Sequence, residues 1–141
     1  MNELAPICVF AYNRPYKTQK CLESLSECIL SDKSEVYVYI DGPKSEDQLQ
    51  LCDLTFQNSL IFKNKFKYLK IIRSKQNMGL AKSIISGVSV LIKKYKKLIV
   101  VEDDLLVSNL FLVYHNQSLN KYIDRKDVFS ISGYNFNLKS L

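Results

Sequence analysis

Glu102, Asp103 and Asp104 stand in unbroken succession inside LIVVEDDLLV, residues 98–107, with apolar runs on both sides. Adjacent like charges repel, and more strongly where water is scarce. A triplet set against a strand-like apolar run therefore calls for a cation. A guanidinium would serve, and so would a hard divalent ion, because carboxylate oxygens suit Mg²⁺ or Mn²⁺. Acids after a strand also make solvated turns and helix starts, so the triplet alone is a weak sign. Its position gives it weight, because other apolar runs in the chain also end in polar residues.

Those runs alternate with helical patterns. Residues 7–12 are apolar and stop at Asn13-Arg14-Pro15, where Pro15 suits the first turn of a helix. That helix would turn Cys21, Leu22, Leu25, Cys28 and Ile29 to one face. Residues 36–40 form a β-branched and aromatic run closed by Asp41-Gly42-Pro43, a turn signal that also suits Asp41 as an Asx-turn residue. A ragged helix is expected over 45–62 and a third strand over 68–72, followed by Arg73 and Asn77. A strongly amphipathic helix follows, with Leu80, Ile84, Val88, Leu91, Ile92 and Tyr95 on its apolar face. Residues 98–101 read as a fourth strand, 110–122 as a helix with His115 on its flank, and 128–132 as a fifth strand. Strands alternating with helices predict a Rossmann-like α/β fold, a mostly parallel sheet with helices on both faces. In such sheets ligands bind beyond the carboxyl ends of the strands. Arg14, Asp41, Asn77 and the acidic triplet should therefore converge on one edge. A divalent cation there would offset the triplet's repulsion and carry a phosphorylated ligand, with Arg14 neutralising phosphate.

The chain has 141 residues, enough for one domain with its own core, and 47% of them are hydrophobic. It lacks the opening pattern of a secretory leader, and its apolar runs fall short of a membrane span, so the expected address is the cytosol. Cys8, Cys21, Cys28 and Cys52 form no C-x-x-C pair, which argues for reduced, buried thiols rather than zinc ligands. The net charge of +6 is unevenly spread: from residue 54 to residue 101 there are eleven Lys and Arg and no acid. A block of this kind attracts phosphates, nucleic acid or an anionic membrane, although single lysines also simply solvate a helix face. Neither G-x-G-x-x-G nor G-x-x-x-x-G-K-[ST] is present, which removes the dinucleotide fingerprint and the P-loop. A response-regulator receiver would need an acidic pair after its first strand, where this chain has AYNRP.

Five segments, APICVFAYNRPYKTQKCLESL, YVYIDGP, NMGLAKSI, LIVVEDDLLVSNLF and FSISGYN, in this order and spacing, resemble the nucleotide-sugar half of the GT-A fold glycosyltransferases. The nearest type is N-acetylglucosaminyltransferase I, with its E-D-D version of the D-x-D motif, and the resemblance spans nearly the whole chain. It implies a nucleotide-diphospho-sugar transferase fold and a metal-dependent transfer of sugar from a nucleotide sugar, a UDP-sugar, to a glycan or lipid-linked acceptor. By the same resemblance Asp104 would ligate Mn²⁺ or Mg²⁺ at the donor's diphosphate, Asp103 would face the ribose and Glu102 the sugar. Arg14 would pair with the diphosphate, Asp41 would accept from the uracil ring, and Asn77, Gly79 and Lys82 would lie near the nucleotide.

Family members continue into an acceptor-binding half that supplies the general base of inverting enzymes, and nothing here matches that base. The expectation is thus one nucleotide-sugar-binding domain over residues 1–141, cut before the acceptor half and binding donor without necessarily transferring sugar. The partners expected are the donor, the acceptor and an anionic membrane touched peripherally at its inner face, with no nucleic acid. The competing reading is a non-catalytic α/β module that binds anionic lipid or nucleic acid through the basic block 63–97.

Overall fold

The structure is a computed structural model that describes residues 3–134. Its elements are β1 (Ile7–Ala11), α1 (Pro15–Ser26), a 3₁₀ turn (Ser31–Lys33), β2 (Glu35–Ile40), α2 (Glu46–Leu60), β3 (Tyr68–Arg73), α3 (Leu80–Tyr95), β4 (Ile99–Glu102) and α4 (Phe111–Lys121). The four strands form one parallel sheet in the order β3-β2-β1-β4. Central β1 is buried at every position, as expected of a parallel strand covered on both faces.

Alternate strand residues face opposite ways, so the sheet has two cores. Ile7, Val9, Val36, Val38, Ile99 and Val101 join Cys21, Leu22 and Leu25 of α1 and Phe62 after α2 on one face. Cys8, Phe10, Tyr37 and Tyr39 meet Ile84, Val88, Leu91 and Tyr95 of α3 on the other. Helix α4 passes the amino ends of the strands: its Asn116 Oδ1 accepts the Ala5 N–H at 2.8 Å, and Asn120 Oδ1 accepts from Lys97 Nζ at 2.6 Å. Among the described residues no helix is long and apolar enough to cross a membrane.

Three expectations are corrected. Residues 128–132 form no strand. The Val128 N–H turns back to the Arg125 carbonyl at 3.3 Å, and the run lines a hollow of about 550 Å³ facing Val100 instead of pairing with β4. Its apolar alternation suits a strand, but a ladder needs a neighbouring strand within hydrogen-bonding distance. The quoted motif at this run ends in Asn135, outside the described residues.

The second correction concerns α3: Ile84, Val88, Leu91 and Tyr95 pack on the sheet as their spacing predicts, but Leu80 and Ile92 do not. Its buried residues are Ser83, Gly87 and Leu91, while Leu80 is 63% exposed and Ile92 also faces solvent. The Phe10 and Tyr39 rings, stacked at 5.5 Å, rise from the sheet under the helix. A Cβ at position 87 would lie 2.9 Å from the Phe10 ring and 3.2 Å from that of Tyr39, so glycine sits where helix and sheet approach closest. Third, Ile29 lies beyond the end of α1 and is exposed, because the helix stops at Ser26.

Candidate functional site

The strand order places a topological switch point between β1 and β4: successive strands β1, β2 and β3 extend the sheet one way, and β4 then joins on the other side of β1. Open α/β sheets bind ligands at such a point, beyond the carboxyl ends of the strands. The β1–β4 ladder continues past Glu102, with the Asp103 N–H donating to the Phe10 carbonyl at 3.1 Å. This fixes the acidic triplet at the lip of the crevice.

Asp103 turns inward, its side chain 1% exposed. Arg14 NH2 donates to its Oδ1 and Thr18 Oγ1 to its Oδ2 at 3.3 Å. The second nitrogen, Arg14 NH1, reaches Asp104 Oδ2 at 3.0 Å. Burial raises the Asp103 pKa above the usual carboxylate value, and Arg14 and Thr18 draw it only partly back. Partial burial works against the Arg14 guanidinium, yet its charge and hydrogen-bond interactions with Asp103 and Asp104 carry its pKa above the ordinary value. The cation that the triplet requires is therefore supplied by the chain. Glu102, last residue of β4, is exposed.

On the other side of β1, Asp41 is buried and hydrogen-bonded to backbone. Its Oδ1 accepts the N–H groups of Gly42 and Met78, and its Oδ2 that of Gly79, all at 2.9 Å. The Asn77 side-chain amide donates to the Gly42 carbonyl at 2.8 Å. A Cβ on Gly42 would fall 2.4 Å from the Gln76 carbonyl carbon, so the loops after β2 and β3 touch backbone to backbone. Gly79, at φ +79°, is the N-cap of α3, and Lys82 projects exposed from that helix's first turn. Arg14, Asp103 and Asp104 thus form one cluster, and Asp41, Asn77 and Gly79 a second, across β1.

Two further residues at this end of the sheet carry no mark in the sequence reading, Thr18 beside Asp103 and Tyr12 after β1. Thr18 lies one helical turn after Arg14, a spacing that could have revealed it. The Tyr12 hydroxyl bonds the Gln48 side chain and takes the Lys44 N–H at 3.1 Å, a contact between distant segments with no local signal. His115, on α4, is buried, with Nδ1 3.0 Å from the Phe111 carbonyl and its ring 4.2 Å from that of Phe111. It is a packing residue.

Within the Arg14 cluster, the carboxylate left open to a metal is that of Asp104. Among the described residues no three His, Cys, Asp or Glu side chains are grouped to hold an ion. Asp103 is taken up by Arg14 and Thr18, while Asp104 keeps an Oδ1 with no protein partner among the described residues. One protein carboxylate suits Mg²⁺ or Mn²⁺, which keep several waters and accept phosphate oxygens; it does not suit a tetrahedral zinc site.

No protein-family model matches the chain, and no curated protein does. Among solved structures it is similar to S. aureus TarS, with a TM-score of 0.63 and 18% identity over 84% of this chain and 20% of that one. The likeness is one of fold, a Rossmann-like parallel sheet with helices on both faces. The chain spans only a fifth of the length of TarS.

Proposed function

We propose that this chain is the donor-binding part of a metal-dependent glycosyltransferase, taking sugar from a UDP-sugar for transfer to a glycan or lipid-linked acceptor. The observation that carries the reading is the meeting of Arg14 and Asp104, from the exits of β1 and β4, at the switch point of the sheet. The fold likeness to TarS, a glycosyltransferase, supports it.

In this reading Asp104 would hold Mn²⁺ or Mg²⁺ with its outward oxygen, and the bound ion would supply positive charge to the departing diphosphate. Arg14, exchanging part of its contact with Asp104 for a diphosphate oxygen, stabilises the negative charge that develops as the bond to the anomeric carbon breaks. Asp103, turned inward with both oxygens held by Arg14 and Thr18, keeps that guanidinium aimed at the ribose side of the crevice, and exposed Glu102 lies toward the sugar. Asp41, already holding three amides, reads the base with its remaining acceptor capacity, between Asn77 and Lys82.

Calorimetric titration of UDP into the chain tests this reading. Saturable binding is expected with Mn²⁺, and it should vanish with excess chelator and with Asp104→Asn. Binding that ignores both the chelator and the substitution, or no binding at all, would overturn it.

A further inference from the structure

We infer that the amino end of the sheet, around the tip of α3, is a docking surface for an anionic lipid bilayer. The proposal does not rest on sugar transfer, since this surface lies at the opposite end of the strands from Arg14 and Asp104.

The last turn of α3 and its connection to β4 bring Lys93, Lys94, Lys96 and Lys97 together, and the connection from α2 to β3 brings Lys63, Lys65 and Lys67 to the same end of the sheet. Glu35 ties the two groups: its carboxylate takes Lys67 Nζ at 3.4 Å and the Tyr95 hydroxyl at 2.7 Å, and that hydroxyl accepts from Lys94 Nζ at 2.8 Å. Lys97 is held by Asn120. The ammonium groups of Lys63, Lys65, Lys93 and Lys96 take no partner among the described residues. Lysines in the last turn of a helix offset its dipole, which accounts for Lys93 and Lys94. Lys63 and Lys65 lie in a connection, where the dipole asks for no charge.

Exposed apolar side chains lie beside the lysines at the end of α3. Val90 is 62% exposed, Ile123 53% and Tyr68 46%. The end of α3 forms a ridge between two hollows, one of about 550 Å³ shared by Ile92, Lys96, Lys97 and Ile123, the other of about 480 Å³ shared by Tyr68, Lys70, Val90 and Lys94. Lysines interleaved with exposed aliphatic groups match the chemistry of an anionic membrane interface, where headgroups attract the ammoniums and the acyl boundary accepts the apolar tips. Nucleic acid would call instead for bidentate arginines, and the arginine that lines these hollows, Arg125, is taken by Asp127.

Co-sedimentation of the whole chain with phosphatidylcholine vesicles, with and without about 30 mol% phosphatidylglycerol, is the test. Binding is expected only to the anionic vesicles, falling about tenfold or more between about 0.1 M and about 0.5 M salt. The triple variant Lys63→Glu/Lys93→Glu/Lys96→Glu should lower it roughly a hundredfold, and Val90→Ser/Ile123→Ser several-fold at unchanged charge. All five side chains are exposed, so the fold is retained. Equal binding to both vesicle types, no binding, a triple variant that binds like the parent, or tighter binding to a single-stranded oligonucleotide would overturn the proposal.

Discussion

Arg14, three residues beyond β1, is ion-paired to Asp103, the first residue beyond β4, and joins two strand exits that are far apart in sequence. The pair is unequal: the Asp103 side chain is 1% exposed and that of Arg14 is 42% exposed. Removing the cation would strand a buried charge. Arg14→Met is expected to destabilise the fold by about 2 kcal/mol, less than a fully buried pair would lose, because water reaches the vacated position. Adding Asp103→Asn should restore most of the loss, which a double-mutant cycle of urea midpoints reads directly.

Asp41 does for the loops what Arg14 does for the strand exits. Asp41→Ala leaves three backbone N–H groups without their acceptor and should cost about 3 kcal/mol, whereas Asp41→Asn keeps one acceptor oxygen and should cost roughly 1 kcal/mol. Hydrogen exchange at the Met78 and Gly79 amides should accelerate in both variants, more in the alanine.

Much of this arrangement was legible in the sequence, and the rest was hidden for identifiable reasons. The apolar runs ending at Arg14, Asp41 and Glu102 marked three strand exits, because strand and turn chemistry is local. Two of the three amides that hold Asp41 lie 37 and 38 residues away, and no local pattern announces such partners. The face of α3 was legible for Ile84, Val88, Leu91 and Tyr95 but not for buried Ser83 and Gly87, because apolar spacing carries no knowledge of the Phe10 and Tyr39 rings that Gly87 admits. The expected fifth strand had the right alternation and no strand beside it.

The two site glycines should respond differently to substitution. Gly42→Ala forces a methyl into the backbone at Gln76 and should cost about 3 kcal/mol while separating the two loops. Gly79→Ala meets no atom within 4 Å, so only its positive φ opposes the change, at about 1 kcal/mol. Thermal melts of the two variants would rank them.

Glu35 predicts a pH dependence. The Tyr95 hydrogen bond, aided by Lys67 and Tyr37 and opposed by burial, holds its carboxyl below the ordinary value. A lowered pKa means that the folded state favours the ionised form, so the stabilisation is present above the unfolded-state value and is lost as the pH falls through the folded one. Glu35→Gln should therefore lower the melting temperature at neutral pH, and the difference from the parent should close in acid.

Burial pushes the Cys8 and Cys21 thiols up to about 12, and all four cysteines are free and buried. Alkylation of the native chain at mildly alkaline pH should leave every one unmodified, and labelling should become complete only in denaturant.

The sheet is covered unevenly, by α1 and α2 on one face and by α3 on the other, with a hollow on each side of α3's end. Such a difference in packing divides a molecule into parts that open at different free energies. One wall of the crevice, Arg14 with Asp103, belongs to the thickly packed part. The opposite wall, Asn77 through Lys82, leads into α3. The two walls of the crevice therefore differ in support, one anchored in the face that two helices cover and the other leading into the face that one helix covers.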